Sequence, residues 1–313
     1  MTLLSFTPSS RLPVPTFSTV RRQPFVSTTH HPQSCGLLGS KPIPLFGLRT
    51  HCPAPYDVSI RSKFLSFGLS ASVEDLIRDA GATAAVIGGA YVLVFIFDNL
   101  TERKLLNQGL SRKLVHILSG VLFMLCWPIF STSTEARYFA ALVPLVNCLR
   151  LLVNGLSLAS DDRLNKSVTR EGNPEELLRG PLYYVLVLIF CALAFWRDSP
   201  IGIILLAIMC GGDGVADIFG RRFGAVKIPY NPQKSWAGSI AMFVFGFLFS
   251  TGMLYYYSAL GYFQLDWTST MQKVALVSLV ATAVESLPTT KVVDDNISVP
   301  LASMAVALLS FSN

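Results

Sequence analysis

Pro200-Ile201-Gly202-Ile203-Ile204-Leu205-Leu206-Ala207-Ile208-Met209-Cys210-Gly211-Gly212-Asp213-Gly214-Val215-Ala216-Asp217 is the stretch on which the reading of this chain turns, because an apolar run passes directly into glycines and two acids. A run with no polar face belongs in a protein core or in lipid. Composition decides between them. Of 313 residues, 51% are apolar and only 14% charged, and the mean hydropathy of +0.50 is too high for a soluble domain of this size. Further stretches at about 80–97, 114–130, 137–156, 181–196, 238–258, 273–289 and 298–312 approach the roughly 20 residues that cross a bilayer. The expected fold is therefore all-α: a polytopic membrane helix bundle of about eight transmembrane helices, within a range of roughly six to nine. The run at 298–312 is short and that at 200–215 ends in polar residues, so either is readable as a half-helix buried by its neighbours.

The formal charge of +6 points at first to an acidic partner. Residues 1–70, however, hold seven basic residues and one acid (Asp57), leaving 18 of each sign in the remainder, so net charge lends no support to nucleic-acid binding. That leader carries 18 Ser and Thr and 9 of the 18 prolines, with no apolar core of the kind a secretory signal needs. Residues 1–60 are expected to be a disordered chloroplast transit peptide, cleaved at about 50–72, and residues 73–313 the membrane domain. The cysteines outside the leader lie singly in apolar runs, as small hydrophobes do. Of the four histidines, only His116 lies outside the leader, which excludes a His-based metal cluster.

If the spans alternate, the segments 98–113, 157–180, 213–237 and 290–297 emerge on one side and carry 13 of the 18 basic residues beyond the leader. The other side has four: Arg78, Arg137, Arg197 and Lys273. Such an excess marks the first side as facing the stroma or cytosol.

The polar residues that can carry chemistry collect on that basic side. Asp213 and Asp217 stand at i, i+4 and share one face if the helix continues. Two carboxylates at a membrane boundary are costly and suit Mg²⁺, which completes its shell with phosphate oxygens and water. Arg221, Arg222, Lys227 and Lys234 follow, then Ser235 at the start of the next helix, where free N–H groups favour phosphate. Ser111-Arg112-Lys113-Leu114-Val115-His116 enters the second span, with Arg112 and His116 spaced to face one anion together. Asp294 and Asp295, beside Glu285, suggest a second metal or substrate-orienting role. Arg150 follows Pro144 and Asn147 at a spacing of three within a span, and is expected to face the bundle interior; Arg170 lies in the loop after it. G-x-x-x-x-G-K-[ST], a post-leader G-x-G-x-x-G, the protein-kinase motifs and G-x-S-x-G are all missing, which disfavours a P-loop, a Rossmann site and a serine hydrolase.

Ser111–His116, Gly211–Asp217, Lys234-Ser235-Trp236-Ala237-Gly238-Ser239 and Asp294-Asp295-Asn296-Ile297-Ser298-Val299-Pro300 together closely resemble the plant phytol kinases, a group of polyprenol kinases related to dolichol kinases. The resemblance runs from about residue 79 to the C-terminus and leaves out the leader. It implies transfer of the terminal phosphoryl group of a nucleoside triphosphate, CTP by preference, to phytol, giving phytyl phosphate for tocopherol synthesis. On physical grounds Asp213 and Asp217 are assigned to Mg²⁺ or another divalent cation, and Arg112, Lys113, His116, Arg150, Arg170, Arg221, Arg222, Lys227, Lys234 and Ser235 to nucleotide and phosphate. Asp294 and Asp295 complete the catalytic set, Asp294 as a base or second metal ligand. The partners are then a prenol, the nucleotide and the bilayer. Three rivals stay open: a kinase for farnesol or geranylgeraniol, a CTP-dependent lipid cytidylyltransferase, and a transporter. A transporter usually keeps its polar residues near the midplane, whereas here they gather at one end.

Overall fold

The computed structural model describes residues 71–159, 164, 168–169, 173–288 and 294–311. The chain divides after His51 into two units, and all described residues lie in the second, Cys52–Asn313. The expected transit peptide, its cleavage point and Arg170 lie outside the described residues.

A helix stands at each of the eight apolar stretches. They are α1 (Val73–Glu102), α2 (Gln108–Cys126), α3 (Ala136–Gly155) and α4 (Gly180–Ala194), then α5 (Pro200–Ala207) running through a π-helical turn (Ile208–Asp213) into α6 (Gly214–Phe223). After a two-stranded antiparallel hairpin, β1 (Lys227–Ile228) and β2 (Asn231–Ser235), come α7 (Trp236–Ala259), α8 (Trp267–Ser286) and α9 (Asp295–Phe311). By length and composition, six segments among the described residues can cross a membrane, namely α1, Gln108–Ile129, α3, Pro174–Ala194, Pro200–Phe223 and α7. The other two differ for different reasons. The last helix, α9, has 17 residues and is short. The 20-residue α8 is diluted by polar residues such as Thr268, Gln272, Lys273, Thr282 and Glu285.

Local signals account for the ends. Ser72 and Asp75 form a reciprocal capping box before α1, with the Asp75 N–H donating to Ser72 Oγ at 3.1 Å. Asn107 caps α2 by accepting from the Leu110 N–H at 2.8 Å. Asp266 does the same for α8, accepting from the backbone of Thr268 and Ser269.

The quoted stretch is the centre of the bundle. Every residue from Pro200 to Gly212 is buried, as an all-round apolar helix requires, while the helices around it expose Phe95, Leu149, Leu186, Leu248, Leu279 and Leu309. Large apolar side chains facing outward are the ordinary condition of helices whose solvent is lipid. The half-helix reading of 200–215 gives way to a continuous 24-residue segment, Pro200–Phe223, and the loop read at 213–237 is helical as far as Phe223. The reason is packing. A Cβ on Gly211 would lie 2.5 Å from the Phe249 ring, and one on Gly212 would lie 3.2 Å from Gly246 Cα, so these glycines admit α7 against the helix instead of ending it. The four described cysteines, Cys126, Cys148, Cys191 and Cys210, are free.

Arg197, counted on sequence among the exterior basic residues opposite the site, is instead 4% exposed. Its guanidinium donates to the carbonyls of Trp127 and Phe130, each at 3.1 Å, and to that of Ser131. It also lies over the rings of Trp196 and Tyr262. Asp79, fully buried beside it, accepts from the Ser131 N–H at 2.6 Å and from Ser131 Oγ at 2.8 Å.

Candidate active site

The helix ends on the basic side of the bundle enclose a cavity of about 1320 Å³. Two lysines organise its charge, each wedged between two acids. Lys113, one turn into α2, places Nζ 3.5 Å from Asp213 Oδ2 and 3.8 Å from Asp217 Oδ2. The pair of acids straddles the junction between the π turn and α6 and still converges on a single ammonium, as an i, i+4 pair on one face can. Arg221 Nε donates to Asp217 Oδ1 at 3.1 Å, yet Asp217 Oδ2 is buried without a hydrogen bond, Lys113 being too far away for one.

Lys234, near the end of β2, is the second centre. Its Nζ lies 2.6 Å from Glu285 Oε1 at the end of α8 and 2.8 Å from Asp295 Oδ2 at the start of α9. Burial works against the charge, but the two carboxylates outweigh it and raise the Lys234 pKa above the ordinary lysine value, so this ammonium stays charged. Glu285 Oε2 and Asp295 Oδ1 are buried and unpartnered among the described residues. An interior with this much unspent acceptor capacity is built to receive a cationic or protic ligand.

The hairpin and a close helix crossing bring the remaining cations in. A Cβ on Gly238 would lie 3.4 Å from Gly220 Cα, so α6 and α7 meet nearly backbone to backbone beside Arg221 and Arg222. Lys227 on β1 pairs in register with Ser235. Ser235 caps α7, its Oγ accepting the Gly238 N–H at 3.2 Å. On α2, the His116 ring donates from Nε2 to the Met209 carbonyl at 3.4 Å and lies 4.1 Å from the Tyr184 ring, and Tyr184 OH in turn donates to the His116 carbonyl at 2.9 Å.

Of the residues singled out on sequence, Arg112, Lys113, His116, Asp213, Asp217, Arg221, Arg222, Lys227, Lys234, Ser235, Asp294 and Asp295 all line this one cavity. Asp294 has a local task there, since its Oδ1 accepts from the N–H and the amide of Asn296 at the head of α9. Arg150 does not line the cavity; its guanidinium lies over the Tyr91 ring of α1. Glu285 was noticed on sequence but not placed in the site. An acid inside an otherwise apolar span was the available signal. Asn147, noted on sequence only for its spacing to Arg150, also lines the cavity, as do Tyr184 and Gln233, which carried no signal of their own.

Among the described residues, no group of three or more His, Cys, Asp or Glu side chains is arranged to hold a metal by itself. Asp213 and Asp217 nevertheless fit a Mg²⁺ that arrives on a nucleotide. Such an ion needs only one or two carboxylates, and the orphaned Asp217 oxygen is a free hard ligand of the right kind.

The chain is similar to known proteins over most of its length. A family profile described as the cytidylyltransferase family matches residues 77–287. A soybean (Glycine max) protein named probable phytol kinase 1, chloroplastic, is 72% identical over 241 residues, 77% of this chain and 80% of that protein. The Arabidopsis thaliana phytol kinase 1, chloroplastic, is 60% identical over 284 residues, 91% of this chain and 92% of its own length. A Zea mays probable phytol kinase is 62% identical over 238 residues, 76% of this chain and 78% of that one. No solved structure matches the chain with significance.

Proposed function

This chain belongs to the cytidylyltransferase family and to the phytol kinases, and from that premise we propose that it transfers the terminal phosphoryl group of CTP to phytol in a chloroplast membrane. The observation that carries the proposal is the convergence of Asp213, Asp217 and Lys113 within one cavity at the membrane boundary. Phosphoryl transfer needs little covalent help from a protein and much positioning and charge neutralisation.

Asp213 and Asp217 would hold the divalent ion of the incoming nucleotide, which would supply charge neutralisation at the phosphates. Lys113, beside the same carboxylates, offers the phosphates a cation of opposite charge, and Arg112, Arg221, Arg222 and Lys227 surround the triphosphate. Lys234 stays charged beside them, held between Glu285 and Asp295. The acceptor hydroxyl attacks the terminal phosphorus, a new O–P bond forms as the bond to the leaving nucleoside diphosphate breaks, and the hydroxyl proton passes to one of the unpartnered carboxylate oxygens of Glu285 or Asp295.

The excess of basic residues on the cavity side supports a site open to the stroma. The composition of residues 1–60, with the chloroplast names of the relatives, supports a transit peptide ahead of a kinase domain at 73–313. Phytyl phosphate is a precursor suited to tocopherol synthesis.

The test is direct. Membranes containing the full chain are incubated with each labelled triphosphate and a panel of prenols including phytol, farnesol and geranylgeraniol. CDP and phytyl monophosphate are the expected products. Release of pyrophosphate with a CDP-linked lipid would instead establish the cytidylyltransferase chemistry that the family description names, and faster turnover of a shorter prenol would reassign the substrate.

A further inference from the structure

The hairpin between α6 and α7 is too short to hold itself in place. It pairs a strand of two residues with one of five, and a two-stranded ribbon alone is marginal in water. Pro229, Tyr230, Pro232 and Gln233 are exposed, yet Asn231 among them is only 4% exposed. Asn231 does not line the cavity, but Lys234, three residues further on, does.

The Asn231 side chain is bound at both its atoms. Its Nδ2 donates to the carbonyls of Ser286 and Leu287, at 3.1 and 3.0 Å, and so covers the end of α8, where the last carbonyls have no partner within the helix. Its Oδ1 accepts from the Gln233 N–H at 3.2 Å, closing a turn over Pro232 that aims the amide at α8. Tyr230 adds a second tie. Ser286 Oγ donates to the Ala283 carbonyl at 2.7 Å, so the Tyr230 hydroxyl is the donor in its contact with Ser286 Oγ at 2.8 Å. Glu285, the residue before Ser286, holds Lys234 Nζ at 2.6 Å. The hairpin therefore meets the end of α8 twice, at Ser286 and Leu287 through the amide and hydroxyl, and at Glu285 through the lysine.

We propose that Asn231 is a positioning residue: it clamps the hairpin to the end of α8 and thereby holds the Lys234 ammonium where the phosphates of the nucleotide bind. This deepens, and rests on, the reading of the cavity as the nucleotide site of a prenol kinase. A lysine is a point charge on a flexible four-carbon stem. Its head stays beside the phosphates only while the strand that carries it keeps its place against the helix that carries Glu285. An amide suits the clamp, because it gives two donors to two carbonyls and one acceptor to its own strand without adding charge to the site.

The experiment is a double-mutant cycle on the full chain in detergent, comparing the parent, Asn231→Ala, Lys234→Met and the two together. Binding of labelled CTP with Mg²⁺ is measured without alcohol, and the KM for phytol is measured separately at saturating CTP. Asn231→Ala is expected to weaken CTP binding about fivefold and Lys234→Met about tenfold or more, with the double variant no weaker than Lys234→Met alone, because the clamp acts through the lysine. The KM for phytol in Asn231→Ala should not change. An equal loss from Asn231→Ala in both backgrounds would overturn the proposal and make Asn231 a cap for the fold alone, as would unaltered CTP binding in Asn231→Ala. If Asn231→Ala is not recovered in detergent, the exposed Tyr230→Phe runs the same cycle, with a loss of about twofold expected in the parent background and none beside Lys234→Met. The same loss in both backgrounds, or none in either, would overturn the proposal there too. Failure of the parent to bind CTP would instead remove the nucleotide reading of the cavity itself.

Discussion

The two ends of this bundle treat buried charge in opposite ways. Opposite the cavity, Arg197 spends its guanidinium on three backbone carbonyls, and Asp79 is satisfied by Ser131, so that a cation and an anion are held in a closed knot with Trp196 at a positive φ of 47°. At the cavity end the acids share two lysines and leave oxygens of Asp217, Glu285 and Asp295 without hydrogen bonds. A satisfied network contributes rigidity. An unsatisfied one costs stability and persists where a ligand completes it. Exposed acids beside a bundle can be mere solvation, but four buried or half-buried acids gathered around two lysines in one cavity support the reading of this end as the catalytic one.

Breaking the closed end should have the largest effect, and on folding. Arg197→Met strands three carbonyls, so at least about 3 kcal/mol of stability is expected to go, seen as a lower melting temperature and poor recovery in detergent. Recovery and melting equal to the parent would show that the knot is dispensable.

At the cavity end, Asp213→Asn and Asp217→Asn should leave insertion and melting nearly intact while lowering phosphorylation by about a hundredfold, ~2.7 kcal/mol of transition-state stabilisation. Raised Mg²⁺ should partly restore one of them. Near-normal turnover at limiting Mg²⁺ in both variants would move the metal site to Glu285 and Asp295.

Lys234→Met sharpens the contrast, because it faces both ways. It should cost about 1.5–3 kcal/mol in kcat/KM for the nucleotide, and it should lower stability too, because Glu285 and Asp295 are left without their shared cation. Adding Glu285→Gln should recover the melting temperature but not the activity. Recovery of both would make the lysine purely structural.

The smallest effect is expected at Arg150. Arg150→Gln removes a stacking contact with Tyr91 worth about 0.5–1 kcal/mol and should leave the KM for CTP unchanged. A rise in that KM would return Arg150 to the nucleotide site.

Much of this was legible before any coordinates. Apolar runs located α1 to α5 and α7 to α9, because each must satisfy its own backbone in lipid and so announces itself over many residues, whereas the polar α6 read as a loop. The spacing of Asp213 and Asp217, and the cations that follow, pointed to one half of the charged lining of the cavity. Arg197 and Arg150 show the limit: both are single cations in or beside apolar runs, and nothing in their neighbours tells whether the partner is lipid headgroup, carbonyl, ring or phosphate.

What the sequence by itself determined is the class of solvent, the helices, the basic side and the residue types available for phosphoryl transfer, since these depend on composition and short-range periodicity. Only the tertiary structure decided that Pro200–Phe223 runs unbroken through a π turn, that Lys113 and Lys234 each sit between two acids, and that Glu285 joins Asp295 from another helix. Those outcomes rest on contacts between residues 51 to 104 positions apart, set by which glycine lets which helix approach. A local pattern carries no record of them.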